Sequence, residues 1–263
     1  MGEDQTFSLR KVPLGKRDLL GSLRASRKAN STNERITRMK IDVIERRTFL
    51  GSACGALGLL AMAGDTPAAE GRKVPAELQA ARDKLRAEME TRLGIAVPHV
   101  DGEFLRLMVH ATAAQKVLEV GTYRGYSGIW LGLGLEQTGG RLTTIDIDPA
   151  RVKEARGNFE KAGLAERITG LEGDAHQLAK TIDGPLDLVF LDAEKGNEVD
   201  YFQTIFPKLR PGGFILLHNA ISSKKVMQPY FDLVSNHPEI LHVILSLSMR
   251  DGFSVSFRKR VVA

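Results

Sequence analysis

An apolar strand that runs into a glycine turn and then a helix, followed one βα unit later by a strand ending on a carboxylate, leaves a chain few folds to choose from. Here the first strand is Lys116–Val120, the turn opens at Gly121, and a helix starts near Gly125. The second strand, Arg141–Asp146, ends on Asp146, about 20 residues beyond the turn as in ribose-binding βαβ units. Glycine lets the backbone bend with positive φ and lets a ligand approach without a Cβ in the way. A strand-end carboxylate can accept hydrogen bonds from both hydroxyls of a ribose. The unit therefore reads as a cradle for a nucleoside-bearing cofactor.

The dinucleotide fingerprint G-x-G-x-x-G is the obvious competitor, and the spacing excludes it. Gly121 and Gly125 are separated by three residues, and Tyr123 stands where a pyrophosphate needs bare backbone. Glu119, just before the turn, repels a pyrophosphate and suits a cationic or amine-bearing ligand. The run Val117-Leu118-Glu119-Val120-Gly121-Thr122-Tyr123-Arg124-Gly125-Tyr126-Ser127 resembles the first motif of the class I S-adenosylmethionine-dependent O-methyltransferases. Within them it is similar to the small-molecule family that includes catechol and caffeoyl-coenzyme A O-methyltransferases. The resemblance runs from about Pro98 to Lys259, with Gly102-Glu103-Phe104-Leu105 matching the helix that leads into the cofactor strand.

That resemblance implies an S-adenosyl-L-methionine site. Glu119 and Gly121, with Tyr123 from the same turn, would line the methionine side, and Tyr126 and Ser127 would support it from the helix start. Asp146 would hold the ribose, while Gly173-Asp174-Ala175-His176 would lie beside the adenine. Two further strand ends look like the family's D-A-D-K and D-N motifs: Asp192-Ala193-Glu194-Lys195 and His218-Asn219. By similarity Asp192, His218 and Asn219 are candidate ligands for a divalent metal, Asp192 also borders the cofactor, and Lys195 is a candidate base.

His218 departs from the family, which has Asp there. Mg²⁺ prefers hard anionic oxygen donors, whereas imidazole suits Mn²⁺, Zn²⁺, Fe²⁺ or Ni²⁺ better. Two readings stay open. In one, a divalent metal, Mg, Mn or another transition ion, binds neighbouring acceptor hydroxyls and lowers their pKa. In the other no metal binds and His218 itself removes the phenolic proton. Glu198 is a second departure, since the family has an aromatic residue three positions after the lysine; Tyr201 retains the next aromatic position.

Beyond the first βαβ unit the alternation continues. Strands are expected at 167–172, 186–191 and 213–218, with helices at 125–136, 149–162, 175–182 and 198–209. Helices 75–92 and 102–113 precede them. A helix at 223–236 and two closely joined strands, 239–246 and 252–258, follow. Five apolar strands separated by helices predict an α/β, doubly wound Rossmann-like sheet. The terminal hairpin brings it to seven strands with the last antiparallel and helices on both faces. Helix 75–92 and the segment 222–230 are expected to wall the acceptor pocket. The bulky insertion of the coenzyme A ester enzymes is missing after Ser222, so the expected acceptor is a small catechol-like or polyhydroxy aromatic molecule. A cofactor-binding protein without catalysis, and methylation of nitrogen or a macromolecule, are the competing functions. The resemblance also allows a homodimer.

Charge separates a second region from this domain. The chain of 263 residues carries a formal +5, yet residues 1–47 hold 12 Lys/Arg against 6 Asp/Glu, so the rest is close to neutral. No basic footprint for a nucleic-acid partner is left once the leader is set aside. Arg46-Arg47-Thr48-Phe49-Leu50 before the uncharged, Ala/Gly/Leu-rich stretch 51–64 resembles a twin-arginine export signal. That stretch is short of the ~20 residues needed for a permanent membrane span. Ala61-Met62-Ala63 and Thr66-Pro67-Ala68 are candidate cleavage sites, and Met39 is the expected true start. Residues 1–38 read as a disordered basic extension, 39–70 as the signal segment and 72–263 as the methyltransferase domain. A working leader makes the protein periplasmic; without one it is cytoplasmic. Cys54, the single cysteine, excludes an intrachain disulfide.

Overall fold

The computed structural model describes residues 74–93, 97–248 and 251–260. The readings of 1–38 and 39–70, Cys54 among them, lie outside these residues. Two helices, α1 (Ala76–Leu93) and α2 (His99–Ala111), precede a regular alternation. It runs β1 (Lys116–Val120), α3 (Tyr126–Thr138), β2 (Arg141–Asp146), α4 (Pro149–Lys161), β3 (Ile168–Glu172), α5 (Ala175–Thr181), β4 (Leu186–Leu191) and α6 (Glu198–Ile205). A 3₁₀ turn, Phe206–Lys208, leads into β5 (Leu209–His218), followed by α7 (Gln228–Asn236), β6 (Ile240–Leu245) and β7 (Phe253–Arg258).

The seven strands form one sheet in the order β3-β2-β1-β4-β5-β7-β6. β1 to β5 are parallel, and β7 inserts antiparallel between β5 and β6. The chain moves outward in one direction from β1 and in the other from β4, which places a crevice beyond the carboxyl ends of these neighbours. Alternation of side chains divides the core between the two faces. Leu188, Phe190 and Leu216 join Leu105, Val109, Trp130 and Phe253 on one face, whereas Val189, Leu191, Ile215 and Leu217 join Phe202, Tyr230 and Val234 on the other. Coverage on both faces explains why the central strands are continuously apolar. No helix among the described residues is long and apolar enough to cross a membrane.

Three elements start three or more residues away from where the periodicity puts them, and α6 ends at Ile205 instead of 209. α2 begins at His99, one turn before the expected Gly102, because Pro98 occupies the N-cap position, where its missing N–H costs nothing. β5 starts at Leu209 instead of 213, across a register shift in its pairing with β4. The start of α7 slips to Gln228, residues 220–227 forming hydrogen-bonded turns instead. The first difference matters most, since the additional turn of α2 carries Asp101.

Candidate active site

The crevice between β1 and β4 is closed tightly at its base. Gly121 has φ of 103°, and a Cβ there would lie 2.5 Å from the Asp192 carbonyl oxygen. Only glycine lets these two strand ends meet. Above them opens a cavity of about 600 Å³, within the range of small-molecule sites.

Most expected residues reach it. Gly121, Tyr123, Tyr126, Ser127, Asp146, Asp174, Ala175, Asp192, Lys195 and Asn219 line the cavity. Glu119, Gly173 and His218 do not. Glu119 shares a sheet face with Val117 and points beneath the first turn of α3, where Ser127 Oγ donates to its Oε1 while Oε2 has no hydrogen-bond partner among the described residues. Burial pushes this carboxyl up; the bonds from Ser127 and Thr144 oppose the rise, and the charges of Asp192 and Asp146 reinforce it, to about 7. Asp146 accepts the Tyr123 N–H on Oδ2 at 2.7 Å and the Asp148 N–H on Oδ1 at 3.0 Å, leaving each oxygen with unused acceptor capacity. These residues fit a ribose and an amine. Asp174 spends one oxygen capping α5 through the His176 N–H at 2.8 Å.

Ile147 and Arg151 line the cavity without having been singled out by the sequence, whereas Tyr201 was. Ile147, 71% exposed, offers an apolar surface next to Asp146. Arg151 stands over the Tyr123 ring at 5.1 Å. On the far wall Tyr201 stacks on His176 at 4.5 Å and donates its hydroxyl to Glu194 at 3.1 Å. Neither α1 nor the segment 222–230 contributes a described side chain to the lining, contrary to expectation; Val97 does. α1 instead supports the turn from behind, Glu90 accepting the Tyr126 hydroxyl.

The expected metal ligands are differently engaged. His218 is buried, with Nε2 at 2.9 Å from Asp101 Oδ2 and Nδ1 at 3.5 Å from Asp192 Oδ2. The other oxygen of Asp192 holds Lys195 Nζ at 2.8 Å. Burial pulls the imidazole down, but the hydrogen bonds and charges of Asp101 and Asp192 outweigh it and raise His218 to about 9. Burial raises Asp192, and the bond from His218 with the charges of Lys195 and His218 holds it below the ordinary carboxylate range. Both ring nitrogens of His218 face carboxylates and one oxygen of Asp192 faces the Lys195 ammonium, so the candidate donors are engaged with one another rather than turned toward a common point. The donor set does not fit a metal, and among the described residues no three carboxylate, imidazole or thiol groups converge to hold one. His218 lies outside the cavity lining, which does not fit the role of general base either. Asn219, at φ 62°, keeps its side chain on the cavity wall in a conformation asparagine tolerates.

Asp101 is the residue the sequence concealed. It lies 117 positions from His218, on a turn of α2 that the apolar period did not reveal. An acidic residue in the first turn of a helix is too common to signal a partner.

Known proteins agree with this architecture. The O-methyltransferase family model matches residues 72–251. The chain belongs to the O-methyltransferase family. Among curated relatives, the catechol O-methyltransferase of Mycobacterium tuberculosis is 41% identical over 128 residues, covering 48% of this chain and 58% of that protein. The catechol O-methyltransferase of Niastella koreensis is 36% identical over 137 residues, covering 51% and 62%. The matched stretches thus span about three fifths of those relatives' lengths. Among solved structures, the O-methyltransferase from Bacillus cereus in complex with SAH aligns at a TM-score of 0.60 with 26% identity, over 72% of this chain and 93% of that one. Cofactor-bound Rv0187 from MTB aligns at 0.59 with 30% identity, over 76% and 93%. This O-methyltransferase family member shares with them the seven-stranded sheet and its reversed last strand.

Proposed function

We propose that this O-methyltransferase family member transfers a methyl group from S-adenosylmethionine to a hydroxyl of a small catechol-like or polyhydroxy aromatic acceptor. One observation carries the reading. A single cavity joins the Gly121 turn and Asp146 on one side to the Asp192–Lys195 pair on the other. The first half suits a nucleoside with a cationic tail, and the second suits a phenol. The SAH-bound and cofactor-bound neighbours and the catechol O-methyltransferase relatives support both halves.

S-adenosylmethionine supplies a methyl group on a sulfonium, so the protein has mainly to position and to manage a proton. Asp146 accepts the ribose hydroxyls, Ile147 covers the base, and Glu119 balances the cationic end from below. The acceptor oxygen forms the new O–C bond as the C–S bond breaks, and its electron pair stays on sulfur. Lys195 orients the hydroxyl as a donor while paired with Asp192; to act as base it first gives one proton to solvent, and its Nζ then takes the phenolic proton as the O–C bond forms. Loss of the sulfonium charge favours the forward step in a cavity of low dielectric.

Calorimetry with S-adenosylmethionine, followed by transfer of its labelled methyl group to a panel of catechols, tests the proposal. Binding and transfer are expected. Binding with no transfer to any phenol replaces it with the reading of a cofactor-binding protein. For residues 39–70 we propose an export leader, on the strength of the paired arginines alone; fractionation of cells expressing the full chain would find the mature protein in the periplasm.

A further inference from the structure

Beneath the acceptor end of the cavity lies a row of four side chains of alternating charge, drawn from three separate parts of the fold. Asp101 on α2 meets His218 at 2.9 Å, His218 at the end of β5 meets Asp192 at 3.5 Å, and Asp192 beyond β4 meets Lys195 at 2.8 Å. Asp101 is fully buried. Its Oδ2 also accepts the Ser248 hydroxyl at 2.9 Å, and its Oδ1 has no partner among the described residues. A hydroxyl carries no charge, so among the described residues the imidazole is the group placed to balance this carboxylate. Burial makes an unbalanced carboxylate costly, and that ties Asp101 to His218.

The pair occupies the strand end where the family's motif has a second acidic residue. We propose that the His218 ring, held between Asp101 and Asp192, fills the cation position of the acceptor site, and that methyl transfer by this chain needs no divalent metal. The inference rests on the O-methyltransferase reading above and concerns the same site. Asp101 and His218 are positioning residues. They act through Asp192, whose two oxygens are divided between the buried imidazole and the Lys195 ammonium that faces the acceptor. An aromatic clamp keeps the imidazole in place, with Phe253 at 5.1 Å and Phe190 at 6.4 Å between ring centroids. Deleting the acidic donor and supplying a fixed cation are thus two aspects of one change, and neither works without Asp101.

The decisive measurement needs no variant. Mn²⁺ is titrated calorimetrically into the chelator-treated full-length protein, with and without S-adenosylhomocysteine, and methylation of catechol is assayed in parallel with and without EDTA. No saturable Mn²⁺ binding, and activity within twofold after chelation, are expected. Saturable binding that Asp192→Asn abolishes, or a tenfold loss on chelation that Mn²⁺ or Mg²⁺ restores, overturns the proposal. His218→Asp, and Asp101→Asn/His218→Asp should the single variant fold poorly, are expected to gain Mn²⁺ binding and metal-stimulated transfer. Asp101→Asn alone should lower kcat at least tenfold at an unchanged Kd for S-adenosylmethionine and shift the pH–rate profile; an unchanged kcat and profile would remove Asp101 from the device. If wild-type protein binds S-adenosylmethionine yet methylates no phenol, the O-methyltransferase reading fails, and the Mn²⁺ titration still decides what fills the cation site.

Discussion

In the proposed reaction Lys195 stands where a base is needed, and its chemistry separates charge from proton transfer. Lys195→Ala is expected to lower kcat by about 10²–10⁴-fold with little change in cofactor affinity. Lys195→Arg keeps a cation against Asp192 but cannot be deprotonated at working pH, so it should lose nearly as much. An arginine variant with wild-type kcat would show that only the charge matters. Glu119 gives a second prediction of residue scale. Its buried carboxyl, raised from 4.5 to about 7, is largely protonated at pH 6. With no cation bound, its contribution favours the folded state below about pH 4.5 and is lost as pH rises through about 7. A bound cationic tail reverses the preference, so binding S-adenosylmethionine at pH 6 should release a proton. Calorimetry in buffers of different ionisation enthalpy measures it, and Glu119→Gln should abolish the release.

Among the elements, α2 links the core to the site. Gly102 faces Trp130 so closely that a Cβ would lie 2.2 Å from the indole Nε1. Gly102→Ala must therefore push α2 away from α3, at a cost of about 1–3 kcal/mol for overpacking. Because Asp101 is the next residue on that helix, the shift should weaken its bond to His218. The expected result is a lowered Tm together with a fall in kcat larger than any change in cofactor Kd. A variant that loses stability and keeps kcat would show that the pair tolerates movement of α2. The elements themselves were readable in advance for a physical reason. β1, β2 and β4 begin and end as the sequence indicates, because apolar runs bounded by Gly121, Asp146, Pro185 and Asp192 leave no freedom in period or length. The start of α2 was not readable, since Pro98-His99-Val100 carries neither a side-chain cap nor an apolar stripe; Val100 is 43% exposed.

At the scale of the whole molecule, the ligand should act as part of the fold. The cavity is bounded by the ends of β1, β2 and β4 and by α6, so a bound nucleoside ties together segments from both halves of the sheet. S-adenosylhomocysteine at a hundredfold excess over its Kd should stabilise the protein by about 2.7 kcal/mol. A thermal melt detects this, and Asp146→Ala should reduce it without abolishing folding. The doubly wound sheet, its crevice and the cofactor half of the cavity follow from features local in the chain. Strand period, the Gly121 turn and the strand-end Asp146 each act within a few residues of themselves, and so they are legible in order. The state of the acceptor half is different. Whether His218 carries a proton, accepts a metal or faces the substrate depends on a carboxylate 117 positions away, delivered by a helix whose start the pattern hides. No local signal encodes the charge of a buried pair, because burial and neighbouring charge exist only after the chain has closed around it.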